Sequence, residues 1–210
     1  AIYLVLGIFI FSGAAYIAWR LFEVVQTRVS IWTDPWSQYE GKGYQPAQAM
    51  FAFANGGTAG TGLGLGNPSK IPAASTDYVY AATGEEMGMI GATAIIIAFL
   101  LLFGAGLRVA VRADRPFEKL LAVGLTTIIA MQAFIIIGGV LRLVPLTGIT
   151  LPFVSYGGSS LLANYILLAL LLRISDSGAR RRGETPDELT ISERMEARGL
   201  RRAERKAARA

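Results

Sequence analysis

PLTGITLPFVSYGGSS, residues 145–160, places helix-breaking Pro and Gly inside an uncharged stretch that otherwise reads as a membrane span. Unpaired backbone N–H and C=O groups cost several kcal/mol each in hydrocarbon. Irregular backbone at that depth therefore persists where protein or a water-filled cavity satisfies it. A broken or re-entrant segment lining a cavity is the first expectation.

The rest of the chain agrees with a membrane protein. Of its 210 residues 53% are apolar, mean hydropathy is +0.46, and charges avoid long segments. Residues 1–19, 87–107 and 120–141 are each uncharged, and about 20 such residues cross a bilayer core. Residues 143–172 are uncharged too, but Pro145, Gly148, Pro152, Gly157 and Gly158 spoil the first half as helix, leaving 159–175 as a fourth span. The expected fold class is an all-α polytopic membrane protein with four transmembrane helices. Its parts are spans at 1–20, 87–107, 120–141 and 159–175, a long outer loop at 21–86, an inner loop at 108–119, an outer or re-entrant segment at 142–158 and a basic tail at 176–210. The first residue is Ala, inside an apolar segment without a basic leader or cleavage site, so no signal peptide is read and the chain is expected to be the end of a longer protein.

Lys and Arg near the span ends set the orientation. Arg108, Arg112, Arg115 and Lys119 face Asp114 and Glu118 between the second and third spans, and the residues after Leu172 hold eleven basic and seven acidic groups. Both regions are expected to be cytoplasmic, with the C-terminus inside. The segment 20–86 holds four basic and six acidic residues and falls outside with 142–160, so the chemistry should face outward. The net charge of +5 is then an inner-face property, and no basic recognition fold points to nucleic acid. Cys and His are both absent, which removes disulfides, thiol nucleophiles, imidazole bases and zinc sites of the Cys or His type from this segment. Acid and base work falls to carboxylates. In the tail, Thr185, Pro186 and Glu188 read as a helix start.

The outer segment opens with IWTDPWSQYEGKGYQPAQ, whose Trp32, Trp36 and Tyr39 suit anchoring at headgroup depth. Residues 47–54 are apolar, too short to span, and suit an interfacial helix. NGGTAGTGLGLGNPSK follows; such a run lets backbone N–H groups approach an anion such as a lipid diphosphate, and reads equally as a flexible turn. Then comes IPAASTDYVYAATGEEMGMIG, residues 71–91. Asp77 sits at the outer mouth of the second span, where it suits a general base, while Thr76 or Asp77 equally suits capping of the following helix. In one continuous helix Glu85 would lie about 80° from Asp77 and Glu86 about 180° away, so Glu85 alone shares a face with it. Lys70 and Arg28 are candidates to stabilise diphosphate charge, or to snorkel. Gln132, Thr126, Thr127 and Asn164 suit interhelical hydrogen bonds. Ser155, Tyr156, Gly157, Gly158 and Ser159 are candidate substrate contacts, Ser159 also reading as the cap of the last span.

Two of these motifs carry a resemblance. PLTGITLPFVSYGGSS, together with PAASTDYVYAATGEEMG, resembles the C-terminal portion of the shape, elongation, division and sporulation family, the RodA, FtsW and SpoVE type proteins of bacterial wall synthesis. IWTDPW, PAASTD and GGVLRLVPLTG are most similar to actinobacterial RodA type members, and Ile135, Ile136 and Ile137 stand where many members carry an Asn. The resemblance covers nearly the whole chain to about residue 175 and implies about six further spans before it. It implies a peptidoglycan glycosyltransferase that polymerises lipid II in elongation or division, with Asp77 as the catalytic carboxylate. It also implies a class B penicillin-binding protein as partner and the bacterial plasma membrane as location. A divalent cation, Mg or Mn, with no organic cofactor, would assist the diphosphate. A lipid II carrier using the same broken segment and a noncatalytic scaffold of the wall-synthesis complex are the alternative readings.

Overall fold

A computed structural model describes residues 2–181; the helix start expected at Thr185 lies outside them. The described residues form six α-helices and two short 3-10 turns, without strands. Helix α1 (Ile2–Leu21) is apolar along its length and exposed over nearly all of its described residues. Phe22 is extended (φ −109°, ψ 113°) and ends the run. Helix α2 (Glu23–Thr33) leaves at a 99° bend. Three helices, α4 (Val79–Arg112), α5 (Pro116–Val140) and α6 (Gly158–Arg181), are each long and apolar enough to cross a membrane, and the bent pair α1–α2 makes a fourth candidate.

The expected long loop between the first two spans is largely helical. The Asp34 carboxylate accepts from the Trp36 and Ser37 amides, turning the chain at Pro35. Helix α3 (Tyr44–Gly56) follows and packs against α4, burying Ala49 and Ala52 in one cluster with Tyr80 and Ala81. Small residues permit that approach: a Cβ on Gly56 would run into the Gly84 carbonyl of α4, and one on Gly84 into the Phe53 ring.

Helix α4 is broken at Gly88 (φ 66°, ψ −165°), inside the span expected to be continuous from residue 87. The glycine run at 56–66 accounts for the break. Met89 and Ile90 donate their amides to the carbonyls of Gly57 and Thr58, while Thr61 and Gly62 donate to those of Glu85 and Glu86. Every one of these is a backbone group that the interruption would otherwise leave unpaired. The run thus pairs with a broken helix, and the amides of Thr61 and Gly62 are occupied there instead of facing an anion. Across the same bend the Tyr80 hydroxyl donates to the Ala92 carbonyl at 3.2 Å.

Helix α5 begins with Pro at its first position and turns back along α4. It buries Leu125, Ile129, Ala133, Ile136 and Val140 at helical spacing. A core of Tyr78, Tyr80, Ala81, Ile136, Ile137 and Leu151 joins α4, α5 and the irregular segment. Arg181 closes the far end by donating to both carboxylate oxygens of Glu118, at 2.6 and 3.1 Å.

The expected break before the last helix is present. After Leu141 the chain stays irregular to Gly157. Arg142 takes a left-handed conformation (φ 60°), and the Leu143 amide reaches back to the Gly138 carbonyl, a helix-end pattern usually built on Gly. Helix α6 starts at Gly158, which puts Ser159 within its first turn instead of at the cap.

Candidate functional site

The irregular backbone lines a cavity of about 310 Å³ between α2, the start of α3, the turn before α4 and the end of α5. Asp77 is its one carboxylate, and Arg28, Lys42 and Arg142 are its cations. Trp32 and Gln45 add further lining. Such a cavity, apolar in its walls with a few convergent polar groups, is the usual form of a ligand site.

Asp77 stands on a tight turn. Ala73 is left-handed (φ 58°), its carbonyl accepts the amides of Thr76, Asp77 and Tyr78, and Tyr78 ends the turn as the residue flanking α4. No side-chain cap bond forms at that helix start. The capping role open to Thr76 and Asp77 is thus not taken: the Thr76 hydroxyl turns back to the Ala73 carbonyl and Asp77 lines the cavity. Tyr78 is buried beside it. Burial, and secondarily the Asp77 charge, push the Tyr78 hydroxyl well above its ordinary range, so it stays a neutral phenol.

The segment after α5 secures this turn. The Ser155 hydroxyl donates to the Thr76 carbonyl at 2.6 Å and accepts the Leu151 amide at 2.9 Å, and the Tyr156 amide donates to the Ser75 carbonyl at 2.8 Å. Ser155 is 2% exposed, so its hydroxyl holds the wall and is not free to meet a sugar. The expected substrate contact there becomes a brace for the backbone on either side of Asp77. Ser155→Ala should leave the Leu151 amide without its partner, costing about 1–3 kcal/mol. The thermal midpoint of the purified full-length protein should fall accordingly, with activity reduced and not abolished.

Gly148 (φ 72°) closes the other side. A Cβ there would lie 3.4 Å from an Asp77 carboxylate oxygen and 3.9 Å from an Arg28 guanidinium nitrogen. The two charged groups therefore converge on one backbone position. Arg28 is fixed by donating to the Leu146 carbonyl at 3.0 Å. Arg142 donates to the carbonyls of Trp32 and Thr33 at 2.7 and 3.0 Å, while the Trp32 indole returns a bond to the Arg142 carbonyl at 2.8 Å. This reciprocal clamp ties α2 to the end of α5. Trp32 is thus a wall of the cavity, whereas Trp36 stays with Tyr39 and Phe51 in an outer aromatic cluster.

Among the expected site residues, the fold brings Asp77 and Arg28 together. Lys70 is exposed on its own 3-10 turn and does not line this cavity. Glu85 does not share it either: Asp77 precedes the helix, and Glu85, 5% exposed, is packed beside Gly66 of the glycine run. Tyr156 is 77% exposed and does not line the cavity, Gly157 abuts the Thr150 side chain, and Gly158 and Ser159 lie exposed at the start of α6. Lys42, Gln45, Arg142 and Gly148 are the members that sequence reasoning passed over. Arg142 carried a signal, being the single charge between Lys119 and Arg173; Lys42 carried none.

A site for a divalent cation needs several oxygen ligands. Among the described residues no three carboxylates gather, and the other charged residues that line the cavity with Asp77 are the cations Arg28, Lys42 and Arg142. This donor set does not fit a protein-built metal site.

The profile of the cell cycle protein family matches residues 1–180. The chain is 52% identical over 179 residues to the peptidoglycan glycosyltransferase RodA of Mycobacterium tuberculosis H37Rv, covering 85% of this chain and 38% of that one. It is 40% identical over 150 residues to stage V sporulation protein E of Bacillus subtilis, covering 70% and 41%. A solved chain from a peptidoglycan synthase complex, described for the coordination of polymerization and crosslinking, superposes with a TM-score of 0.69 at 26% identity, covering 84% of this chain and 49% of that one. The chain thus spans well under half the length of these curated relatives.

Proposed function

This chain belongs to the FtsW, RodA and SpoVE family of cell cycle proteins, and on that premise we propose that the whole protein is a peptidoglycan glycosyltransferase polymerising lipid II. The observation that carries the reading is the cavity in which Asp77 and Arg28 converge on Gly148, with Lys42 and Arg142 beside them. One carboxylate among cations suits a reaction that removes a proton at one point and releases an anion at another.

In this scheme an acceptor sugar hydroxyl gives its proton to the Asp77 carboxylate as its oxygen bonds to the anomeric carbon of the donor. The bond from that carbon to undecaprenyl diphosphate breaks, with inversion. The departing diphosphate carries the developing charge, and Arg28 and Lys42 lie where they can meet it. Arg142 adds positive charge while its donors hold the carbonyls of α2. Tyr78, kept neutral, supplies a wall without competing for the proton. No step is routed through a metal.

The helices are those of a multi-pass membrane protein. The positive-inside pattern supports a bacterial plasma membrane setting with the cavity outside and the C-terminus in the cytoplasm, and the synthase complex it resembles supports a class B penicillin-binding protein as crosslinking partner. Full-length protein with that partner, given lipid II in detergent or vesicles, is expected to build glycan chains. Transfer of lipid II across a vesicle bilayer without polymer would replace this reading with the carrier.

A further inference from the structure

A second cavity, of about 250 Å³, lies at the opposite end of the bundle, between the C-terminal turns of α4 and α6. Its polar lining is Arg108, Arg112 and Ser175, and the small side chains of Ala105, Gly178 and Ala179 leave the space. Among the described residues no carboxylate lines it. Of the acids near it, Asp176 pairs with Arg173 and Arg180, and Glu118 with Arg181. Arg108 makes no ion pair with any described residue. It stands four residues before Arg112, so the two guanidinium groups share one helix face a turn apart.

Arg108 is the first charge after the uncharged stretch that begins at Met87, which sets it where hydrocarbon gives way to headgroups. One or two turns toward the bilayer centre, Leu101 of α4 and Leu172 of α6 are exposed and offer apolar surface to acyl chains. Guanidinium groups match the oxygens of a phosphate with paired donors, and Ser175 adds a hydroxyl. We propose that this cavity binds a phosphate group carried on the headgroup of an anionic phospholipid, a site separate from the Asp77 cavity and used from the other face of the membrane. Basic pockets between spanning helices serve such headgroups in membrane proteins generally.

The test is native mass spectrometry of the full-length protein with dioleoylphosphatidylglycerol, dioleoylphosphatidylcholine, or inorganic phosphate in excess over the lipid. The wild-type protein should retain phosphatidylglycerol over phosphatidylcholine. R108Q/R112Q should lower retention of phosphatidylglycerol about tenfold, the loss expected for removing charge-assisted bonds. Ala179→Leu fills the space while keeping both arginines and should cause a similar loss, so the proposal stays testable if the double variant misfolds. Equal retention of the two lipids by the wild type, or unchanged phosphatidylglycerol in both variants, would overturn it. Full displacement of phosphatidylglycerol by inorganic phosphate would assign the site to soluble phosphate and overturn the lipid.

Discussion

Asp77→Asn in the full-length protein is expected to lower lipid II polymerisation by about 10³-fold while leaving the fold and partner binding intact. The size follows from removing a positioned general base, an effect of about 10²–10⁴. The intact fold follows from what Asp77 does not do. It caps no helix, and its carboxylate makes no ion pair among the described residues. Its turn is held through backbone bonds to Ala73 and by Ser155 on the Thr76 carbonyl. Asn is close in shape, and its neutrality removes one of the two influences that raise the Tyr78 hydroxyl. The thermal midpoint should move little, within the range of about 0.5 kcal/mol typical of substitutions outside packed networks. Gel analysis of glycan product beside co-purification of the partner reads both expectations at once. Undiminished polymer would make Asp77 structural and bring the carrier or scaffold reading forward.

The second large effect is expected at Arg142. This residue occupies a left-handed backbone position that costs a non-glycine residue about 1–2 kcal/mol, and it holds α2 through the Trp32 and Thr33 carbonyls. Arg142→Ala keeps the strained position and loses the clamp. The loss of bonds to a charged donor should destabilise the protein by about 2–3 kcal/mol. With α2 released, Arg28 loses its placement opposite Asp77, and displacement of that order costs about 10² in rate. Arg142→Lys separates charge from geometry. A lysine keeps the positive charge but lacks the planar fork, so a positioning residue predicts a kcat well below wild type with KM nearly unchanged. Trp32→Phe removes the reciprocal bond alone and should give a smaller loss of stability.

Some of this was legible in the residues. Uncharged runs located the spanning helices because lipid selects for apolar length, and Pro and Gly between Pro145 and Gly158 located the irregular segment because neither continues a helix. The motif singles out Asp77, and Arg28 stands among the candidate cations. Lys42 and Arg142, which line the same cavity, do not stand out. Lys42 comes to that cavity by way of the turn at Pro35 and the packing of α3 on α4, which no local pattern encodes. The glycine run illustrates the converse. Its composition allows an anion cradle, a turn or close packing, and what decides among these is Gly88 more than twenty residues later, whose broken helix leaves backbone groups that the run approaches so closely that a Cβ on Gly60 would strike the Glu86 carbonyl. Glu85 lies apart from Asp77 for a related reason: the angle between them holds for one continuous helix, while the helix begins two residues after Asp77.

Site-specific photocrosslinking to lipid II tests most directly whether the Asp77 cavity is where the substrate reacts. A photoreactive side chain at Gln45, which lines that cavity, and another at Leu63, which is exposed outside it, would be compared in full-length protein. Crosslinking at Gln45 that unlabelled lipid II competes away, with little at Leu63, is the predicted result. Crosslinking at Leu63 with none at Gln45 would contradict it.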